Sequence, residues 1–155
     1  MEEFSPGRPC ENELVNKTKW LIVAEQEVGV KTFPHGSSNP RIEEFHQHTP
    51  IAGYDDKAAW CSSFLNWVFA QCNINGTQSA LARSWLDWGR EISAPKQGCV
   101  VVLEREDPNG WQGHVGLFLR IENDEIFLLG GNQQDEVREY HYPLTSVLSY
   151  RWPQF

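Results

Sequence analysis

Several features that define specialised protein classes are missing from this 155-residue sequence. It has no apolar run close to the ~18 residues that a membrane-spanning helix needs, and its acidic N-terminus, MEEFSPGRPCENE, does not resemble a Sec-type signal peptide. It also lacks an excess of basic residues, since 13 Lys and Arg stand against 21 Asp and Glu, a formal charge of −8. Nucleic-acid binding depends on cationic side chains that neutralise phosphates, so we expect no nucleic-acid partner.

The cysteines and histidines do not form a metal-binding pattern. The four cysteines stand at positions 10, 61, 72 and 99, and none belongs to a Cys-x-x-Cys pair. His46 and His48 lack a carboxylate or a third histidine at helical spacing, so we expect a surface loop there. We therefore predict no metal ion and no other cofactor. A chain of this length folds without disulfides, so any pairing of Cys72 with Cys10 or Cys99 stays open.

The composition is that of an ordinary globular protein, with 40% hydrophobic and 22% charged residues. A length of 155 residues corresponds to one domain. Residues 1–11 contain Pro and Gly and show no apolar periodicity, so we expect a disordered lead-in there. A single catalytic domain is expected over residues 12–155, in a monomeric protein.

Helical patterns are confined to the first 90 residues. They occur in four segments, at residues 12–28, 41–45, 58–72 and 79–89. The segment 58–72 is the clearest, because Phe64, Leu65 and Val68 recur at the spacing of a broad apolar face. Asp55 and Asp56 precede it, where carboxylates suit the positive end of a helix dipole.

After the last helical segment, the spacing of apolar residues changes from a helical period to the pattern of β-strands. Apolar and β-branched runs at residues 99–105, 113–121 and 125–131 predict strands, and the runs at 137–142 and 146–152 predict one or two more. Asn123 and Asp124 separate two of these runs and predict a two-residue hairpin turn. Helices followed by consecutive antiparallel strands predict an α+β fold, with N-terminal helices packed on a C-terminal antiparallel β-sheet.

Cys61 stands at the start of the clearest helix. Free backbone N–H groups and the helix dipole favour a thiolate there, the form of cysteine that attacks carbonyl carbons. The competing interpretation is a small core residue, since Cys61, Leu65, Val68 and Cys72 share one helix face.

His114 begins a strand and is the candidate base for such a thiol. Alternation along the strand places it on the same face as Gly116, whose missing side chain leaves room for a helix. A third group must hold the other nitrogen of the imidazole. Counting from the predicted hairpin places Gln133 opposite His114, whereas a bulge at Gly130 and the following glycine would bring Asn132 into line. Pairing register alone leaves both amides open.

Short motifs along the chain then resemble one known family. They lie at residues 27–30, 39–42, 59–64, 79–85, 95–98, 113–116 and 130–133. In this order they resemble the NlpC/P60 and CHAP superfamily, and most closely a subgroup associated with phages and toxins. The similarity extends over residues 18–153, which is nearly the whole chain.

The resemblance implies a papain-like NlpC/P60 fold and a cysteine amidase or endopeptidase. Carried over by position, Cys61 is the nucleophile, His114 the general base and acid, and Asn132 the orienting residue, which requires the glycine bulge. Four neighbouring residues are expected to bind substrate: Trp60, Ser62, Trp111 and Gln133. Many relatives have Asp where this chain has Trp60, and Asp where Cys99 follows Gly98, so the resemblance does not fix which bond is cut.

The substrate implied by the resemblance is the stem peptide of bacterial peptidoglycan. Two biological roles fit a small acidic enzyme, an antibacterial effector secreted into a rival cell or a phage-type lysin. Both would be made in the cytoplasm and act in the periplasm or cell wall of the target, and an effector would have a cognate immunity protein as partner. The alternatives are an acyl transferase or deamidase that acts on a protein, or a binding module without catalysis.

Overall fold

The computed structural model describes residues 17–154. The predicted lead-in over residues 1–11 and the start of the helix predicted at 12–28 lie outside these residues. The described residues contain three α-helices, α1 (Lys19–Glu25), α2 (Pro40–Phe45) and α3 (Cys61–Gln71). Three short 3-10 helices accompany them, at His46–His48, Ala82–Asp87 and Leu144–Ser146.

Six strands form one antiparallel sheet. They are β1 (Arg90–Ile92), β2 (Val100–Glu104), β3 (Gly113–Glu122), β4 (Glu125–Gln133), β5 (Glu136–Pro143) and β6 (Val147–Trp152). Their order across the sheet is β1-β6-β2-β3-β4-β5. The predicted strands are confirmed: the runs at residues 137–142 and 146–152 form one strand each, and β2 to β5 pair consecutively. The sequence did not predict β1, nor that β6 crosses back to lie between β1 and β2.

Local side-chain contacts explain where the helices begin. The Thr18 hydroxyl accepts a hydrogen bond from the Leu21 N–H at 3.2 Å, and this N-cap starts α1. Asn39 caps α2 in the same way, with Pro40 at the first helical position. The segment 79–89 was predicted to be an α-helix, but it forms only the 3-10 helix Ala82–Asp87. The backbone is already extended at the next residue, Trp88.

The predicted hairpin turn at Asn123 and Asp124 is confirmed. Both residues have left-handed backbone, with φ of 53° and 63°. Two successive positive φ values are characteristic of the tight turn whose twist matches that of antiparallel strands. The turn sets the register in which Glu122 pairs with Glu125 and Ile121 with Ile126.

Apolar side chains pack on both faces of the sheet. On one face α3 buries Phe64, Leu65 and Val68 in a cluster that includes Val115 and Leu117 of β3. The opposite face carries a second cluster, formed by Cys99, Val101, Leu103, Phe118, Ile126 and Leu128. Helix α3 therefore lies against the face to which the odd-numbered residues of β3 point.

The position of α3 corrects the role expected of Gly116. A Cβ atom at Gly116 would lie 3.2 Å from the Cβ of Leu128, on the sheet face opposite α3. Gly131 of β4 provides the space for the helix instead. A Cβ atom there would lie 2.8 Å from both the Phe64 Cβ and the Trp60 ring, closer than packed carbon atoms approach. The start of α3 can reach the sheet only because Gly131 has no side chain.

None of the helices within residues 17–154 is long and apolar enough to cross a membrane.

Candidate active site

Cys61 is the first residue of α3, and no side chain caps this helix. The first N–H groups of the helix are therefore not taken up by a capping side chain. The Cys61 sulfur accepts hydrogen bonds from the backbone N–H groups of Ser62 and Val115. Strands β3 and β4 pair only as far as Leu117 and Leu129, so they separate just before the point where the thiol meets β3. The side chain is 7% exposed.

His114 lies on β3 next to this thiol and hydrogen-bonds to it. The Nε2 atom of the half-buried imidazole is 2.8 Å from the Oε1 atom of Gln133. An amide oxygen accepts hydrogen bonds only, so Nε2 carries the proton in this contact. Nδ1 is then the nitrogen that faces Cys61. The structure thus brings together the cysteine and the histidine that the sequence singled out.

Gln133, and not Asn132, contacts the imidazole, which corrects the residue that the family resemblance implied. An extra residue in β3, between Phe118 and Arg120, shifts the pairing by one position. A second bulge follows in β4, where residues 131 and 132 oppose one residue of β5. The second shift offsets the first, so Gln133 reaches His114. Asn132 lies within the second bulge, with a left-handed φ of 57°.

The two catalytic candidates shift each other's protonation. Burial of the Cys61 thiol opposes ionisation, but the charge of His114 and hydrogen bonds to the sulfur outweigh it, so the pKa of Cys61 is lowered. Burial likewise opposes the charged imidazole, but attraction to the Cys61 thiolate and the bond to Gln133 raise the pKa of His114. The pair therefore favours a thiolate next to an imidazolium, which is the reactive form of such a pair.

Two of the residues expected to bind substrate are parts of the core. Trp60 is 1% exposed, and its indole N–H donates to the Thr32 hydroxyl at 3.1 Å. Ser62 is fully buried; it donates to the Ser79 carbonyl at 2.6 Å and accepts from the Trp85 indole at 2.9 Å. Both side chains are thus used in positioning α3. Trp111, in contrast, is 70% exposed on the loop that leads to β3.

Arg83 holds that loop, a role that the sequence reasoning missed. Its guanidinium donates to the backbone carbonyls of Gln112 at 2.6 Å, Pro108 at 2.9 Å and Asp107 at 2.6 Å. Because the loop ends directly before His114, this clamp fixes the start of β3. A lone arginine within a helical segment gives no sequence signal for such a role, since its three acceptors are backbone atoms more than 20 positions away.

His46 is fully buried, so the prediction of a surface loop at this residue is wrong. Its Nδ1 atom is 2.7 Å from the Ser63 hydroxyl, and its Nε2 atom is 3.1 Å from the Asp55 carbonyl. Asp56 is also buried, and it accepts hydrogen bonds from the backbone N–H groups of Phe33 and Asn39. These contacts secure the loops before α3. Asp56 therefore binds backbone groups of a preceding loop and does not act at the helix end.

A cavity of about 420 Å³ lies beside His114. Its lining combines charged and amide side chains with two tyrosines: Leu103, Glu104, Arg105, His114, Asn132, Gln133, Gln134, Asp135, Tyr140 and Tyr142. A polar cavity next to the imidazole is large enough for part of a peptide.

Cys72 and Cys99 do not belong to the site. Cys72 and Cys99 are free thiols, and burial raises the pKa of Cys99 to about 11. Cys10 lies outside the described residues. Within residues 17–154 no group of three or more His, Cys, Asp or Glu side chains is arranged to hold a metal ion.

Two solved structures share the fold. One is NlpC1 from Trichomonas vaginalis, with 15% identity and a TM-score of 0.50 over 85% of this chain. The other is a lipoprotein-like protein of the NLP/P60 family from Staphylococcus aureus, with 16% identity and a TM-score of 0.50 over 88% of this chain. The chain matches only 42% and 41% of the length of these proteins. No curated protein matches the sequence.

The model of the CHAP domain family matches residues 53–132. The matched segment covers just over half of the chain and contains both Cys61 and His114. It agrees with the papain-like α+β fold of the two structural neighbours, in which helices pack on an antiparallel sheet. The chain therefore belongs to the CHAP domain family, a family of cysteine-type hydrolases within the NlpC/P60–CHAP superfamily.

Proposed function

We propose that this protein is a cysteine amidase or endopeptidase that hydrolyses an amide bond in the stem peptides of bacterial peptidoglycan. The observation that carries the proposal is the hydrogen-bonded pair of Cys61 and His114 within the segment that matches the CHAP family. The family supplies the substrate class, and the pair supplies the chemistry.

The reaction starts with attack of the Cys61 thiolate on the carbonyl carbon of the amide, which forms a C–S bond and a tetrahedral oxyanion. Backbone N–H groups at the start of α3, including that of Cys61, are the donors nearest to this oxyanion. His114 then gives its Nδ1 proton to the leaving amine as the C–N bond breaks. Water, deprotonated by His114, attacks the resulting thioester and releases the carboxylate together with the Cys61 thiolate.

The surroundings of His114 suit a polar peptide. The 420 Å³ cavity presents carboxylate, guanidinium and amide groups, which match the charged and amide groups of a stem peptide. Trp111 stands exposed on the adjacent loop and would offer an apolar surface to the substrate.

Purified Gram-negative sacculi test the proposal directly. We expect wild-type protein to release soluble fragments, and mass spectrometry of those fragments to identify the cleaved bond. Cys61→Ala and His114→Ala should release none, whereas Cys72→Ala, at the other end of the same helix, should match wild type. Full activity in Cys61→Ala would refute the mechanism.

Two other outcomes would support other functions. Absence of fragments together with rapid alkylation of Cys61 would favour an acyl transferase or deamidase that acts on a protein. Absence of fragments with an unreactive Cys61 would favour a binding module without catalysis, since a thiolate next to an imidazolium reacts readily with iodoacetamide.

We also propose that the enzyme acts in the periplasm of a target cell as a secreted antibacterial effector, with a phage-type lysin as the alternative. The supporting feature is the acidic charge of −8. Expression in a Gram-negative host with and without an added secretion signal tests the site of action. Lysis should require the signal and Cys61, and equal toxicity without the signal would contradict the proposal. A cognate immunity protein that covers Cys61 is expected for an effector and not for a lysin.

A further inference from the structure

Tyr142 of β5 makes two contacts with the candidate site. Its hydroxyl donates a hydrogen bond to the Oε1 atom of Gln133 at 3.0 Å. Its ring lies against the imidazole of His114, with 5.2 Å between the ring centroids and 35° between the planes. It is therefore in contact with both the histidine and the amide that holds the histidine.

The amide of Gln133 has a partner at every position. Its Nε2 group donates to the carbonyls of Leu128 at 3.2 Å and Arg138 at 2.6 Å. Its Oε1 atom accepts from both His114 and Tyr142. The side chain is 1% exposed, so no solvent could replace a lost partner easily. A flipped amide would turn its nitrogen away from two carbonyls, which fixes the orientation of the oxygen towards His114.

We propose that Tyr142 is a positioning residue that acts on His114 in two ways, through its ring and through Gln133. The ring limits the tilt of the imidazole, and the hydroxyl occupies the second lone pair of Oε1. Together they keep Nε2 protonated when the imidazolium gives up a proton, so that Nδ1, which faces Cys61, is the nitrogen that gives and takes the proton in the proposed hydrolase. The inference rests on the proposed function for its catalytic consequence, but the state of His114 can be measured without any substrate.

The surroundings of Tyr142 explain why its hydroxyl acts as a donor. Burial, followed by the Cys61 charge, raises the pKa of Tyr142 far above its usual value, so the phenol stays protonated. The charges that act on the pKa of His114 are those of Cys61 from α3 and Arg105 from the loop after β2. The carboxylates of Glu104 and Asp135 line the same cavity as His114. Tyr140 and Arg105 face Tyr142 in the same way. Packing against the second apolar cluster requires only a ring, so a purely structural role would be filled equally by phenylalanine.

Two substitutions separate the hydroxyl from the ring. We expect Tyr142→Phe to lower kcat by about 2- to 10-fold, since one neutral hydrogen bond is lost. Tyr142→Leu removes the ring as well and should lower kcat by up to about 100-fold, as expected for a misplaced catalytic group. KM should change little in both variants. Tyr150→Phe and Tyr150→Leu are the matched controls, because Tyr150 packs on the same cluster from β6.

Two readouts report on His114 without substrate. At a pH above the raised pKa of His114, where the imidazole is neutral, its ¹⁵N NMR signals should show protonated Nε2 in wild type and a mixture of tautomers in Tyr142→Leu. The pH at which Cys61 alkylation reaches half its maximal rate should be higher in both variants than in wild type. The shift should be larger in Tyr142→Leu than in Tyr142→Phe. A fall in melting temperature with an unchanged tautomer and an unchanged midpoint would overturn the positioning role.

The outcomes also distinguish this inference from the proposed function. If wild-type protein releases no peptidoglycan fragments but Tyr142→Leu still changes the tautomer, the positioning role stands and the substrate proposal fails. If fragments are released equally by wild type and both Tyr142 variants, the hydrolase proposal stands and the positioning role fails. Should Tyr142→Leu not fold, Tyr142→Phe retains the packing and decides the question.

Discussion

Removal of the Gln133 amide should impair catalysis far more than removal of the Asn132 amide. The sequence left these two neighbours as alternatives, and the structure places only Gln133 on His114. Gln133→Met preserves the length of the side chain and removes all hydrogen bonds. Asn132→Gly is the matched control, because glycine adopts the φ of 57° without strain whereas alanine would not.

The expected size of the effect follows from the contact. The Nε2–Oε1 distance is 2.8 Å, and the imidazole is positively charged in the thiolate–imidazolium pair. A hydrogen bond to a charged group contributes about 1.5–3 kcal/mol. At about 1.4 kcal/mol for each factor of ten in rate, Gln133→Met should lower kcat by about 10- to 150-fold. Asn132→Gly loses no contact to His114, so we expect its kcat to stay within about 3-fold of wild type.

The assay is the rate of release of soluble fragments from sacculi, measured alongside thermal unfolding. Gln133→Met leaves the Leu128 and Arg138 carbonyls without a donor, which destabilises the folded state as well. Rates must therefore be compared at a temperature where every variant is fully folded. An Asn132→Gly variant that loses as much activity as Gln133→Met would refute this reasoning and restore Asn132 as the orienting residue.

Two further predictions concern packing and pH. Gly131→Ala would place a Cβ atom 2.8 Å from Phe64 and Trp60. Such overpacking costs about 1–3 kcal/mol of folding free energy. The melting temperature should therefore fall by about 2–12 °C for a domain of this size. An unchanged melting temperature would contradict the packing of α3 on β4. The lowered pKa of Cys61 predicts that alkylation by iodoacetamide rises with pH and reaches half its maximum below ~8.5, the ordinary thiol value. His114→Ala should move this midpoint upwards. Hydrolytic activity should fall again above the raised pKa of His114, where the imidazolium that protonates the leaving amine is lost. A wild-type midpoint at or above the ordinary value would exclude a thiolate–imidazolium pair.

Local sequence patterns were sufficient for most of the fold. The helix at Cys61–Gln71 and the turn at Asn123 and Asp124 follow from apolar periodicity and from residues that accept positive φ. The short strand Arg90–Ile92 has no such pattern, because it is largely exposed and is defined only by its pairing with β6, more than 50 positions later. Likewise, the segment 79–89 has helical periodicity, but tertiary contacts leave it only the 3-10 helix Ala82–Asp87.

The candidate site was only partly accessible to the same reasoning. Cys61 and His114 could be identified because each stands at the start of an element and the two types of side chain suit one reaction. Trp60 was expected in the substrate groove, since an aromatic residue beside a nucleophile has the same sequence signal whether it faces the core or solvent. Its burial depends on Thr32 and Phe45, which come from loops and helices without a pairing rule.

The stretch from Gly130 to Gln133 explains why the third residue could not be read from spacing. Each of its residues satisfies a different geometric demand. A Cβ atom at Gly130 would lie 3.0 Å from the Gln133 oxygen, so this glycine makes space for the amide. Gly131 makes space for α3, and the left-handed Asn132 completes the bulge. Only with all three in place can Gln133 reach His114. A bulge moves every later side chain by one position, so a motif of this kind specifies its functional residue through backbone geometry, which residue identity alone does not reveal.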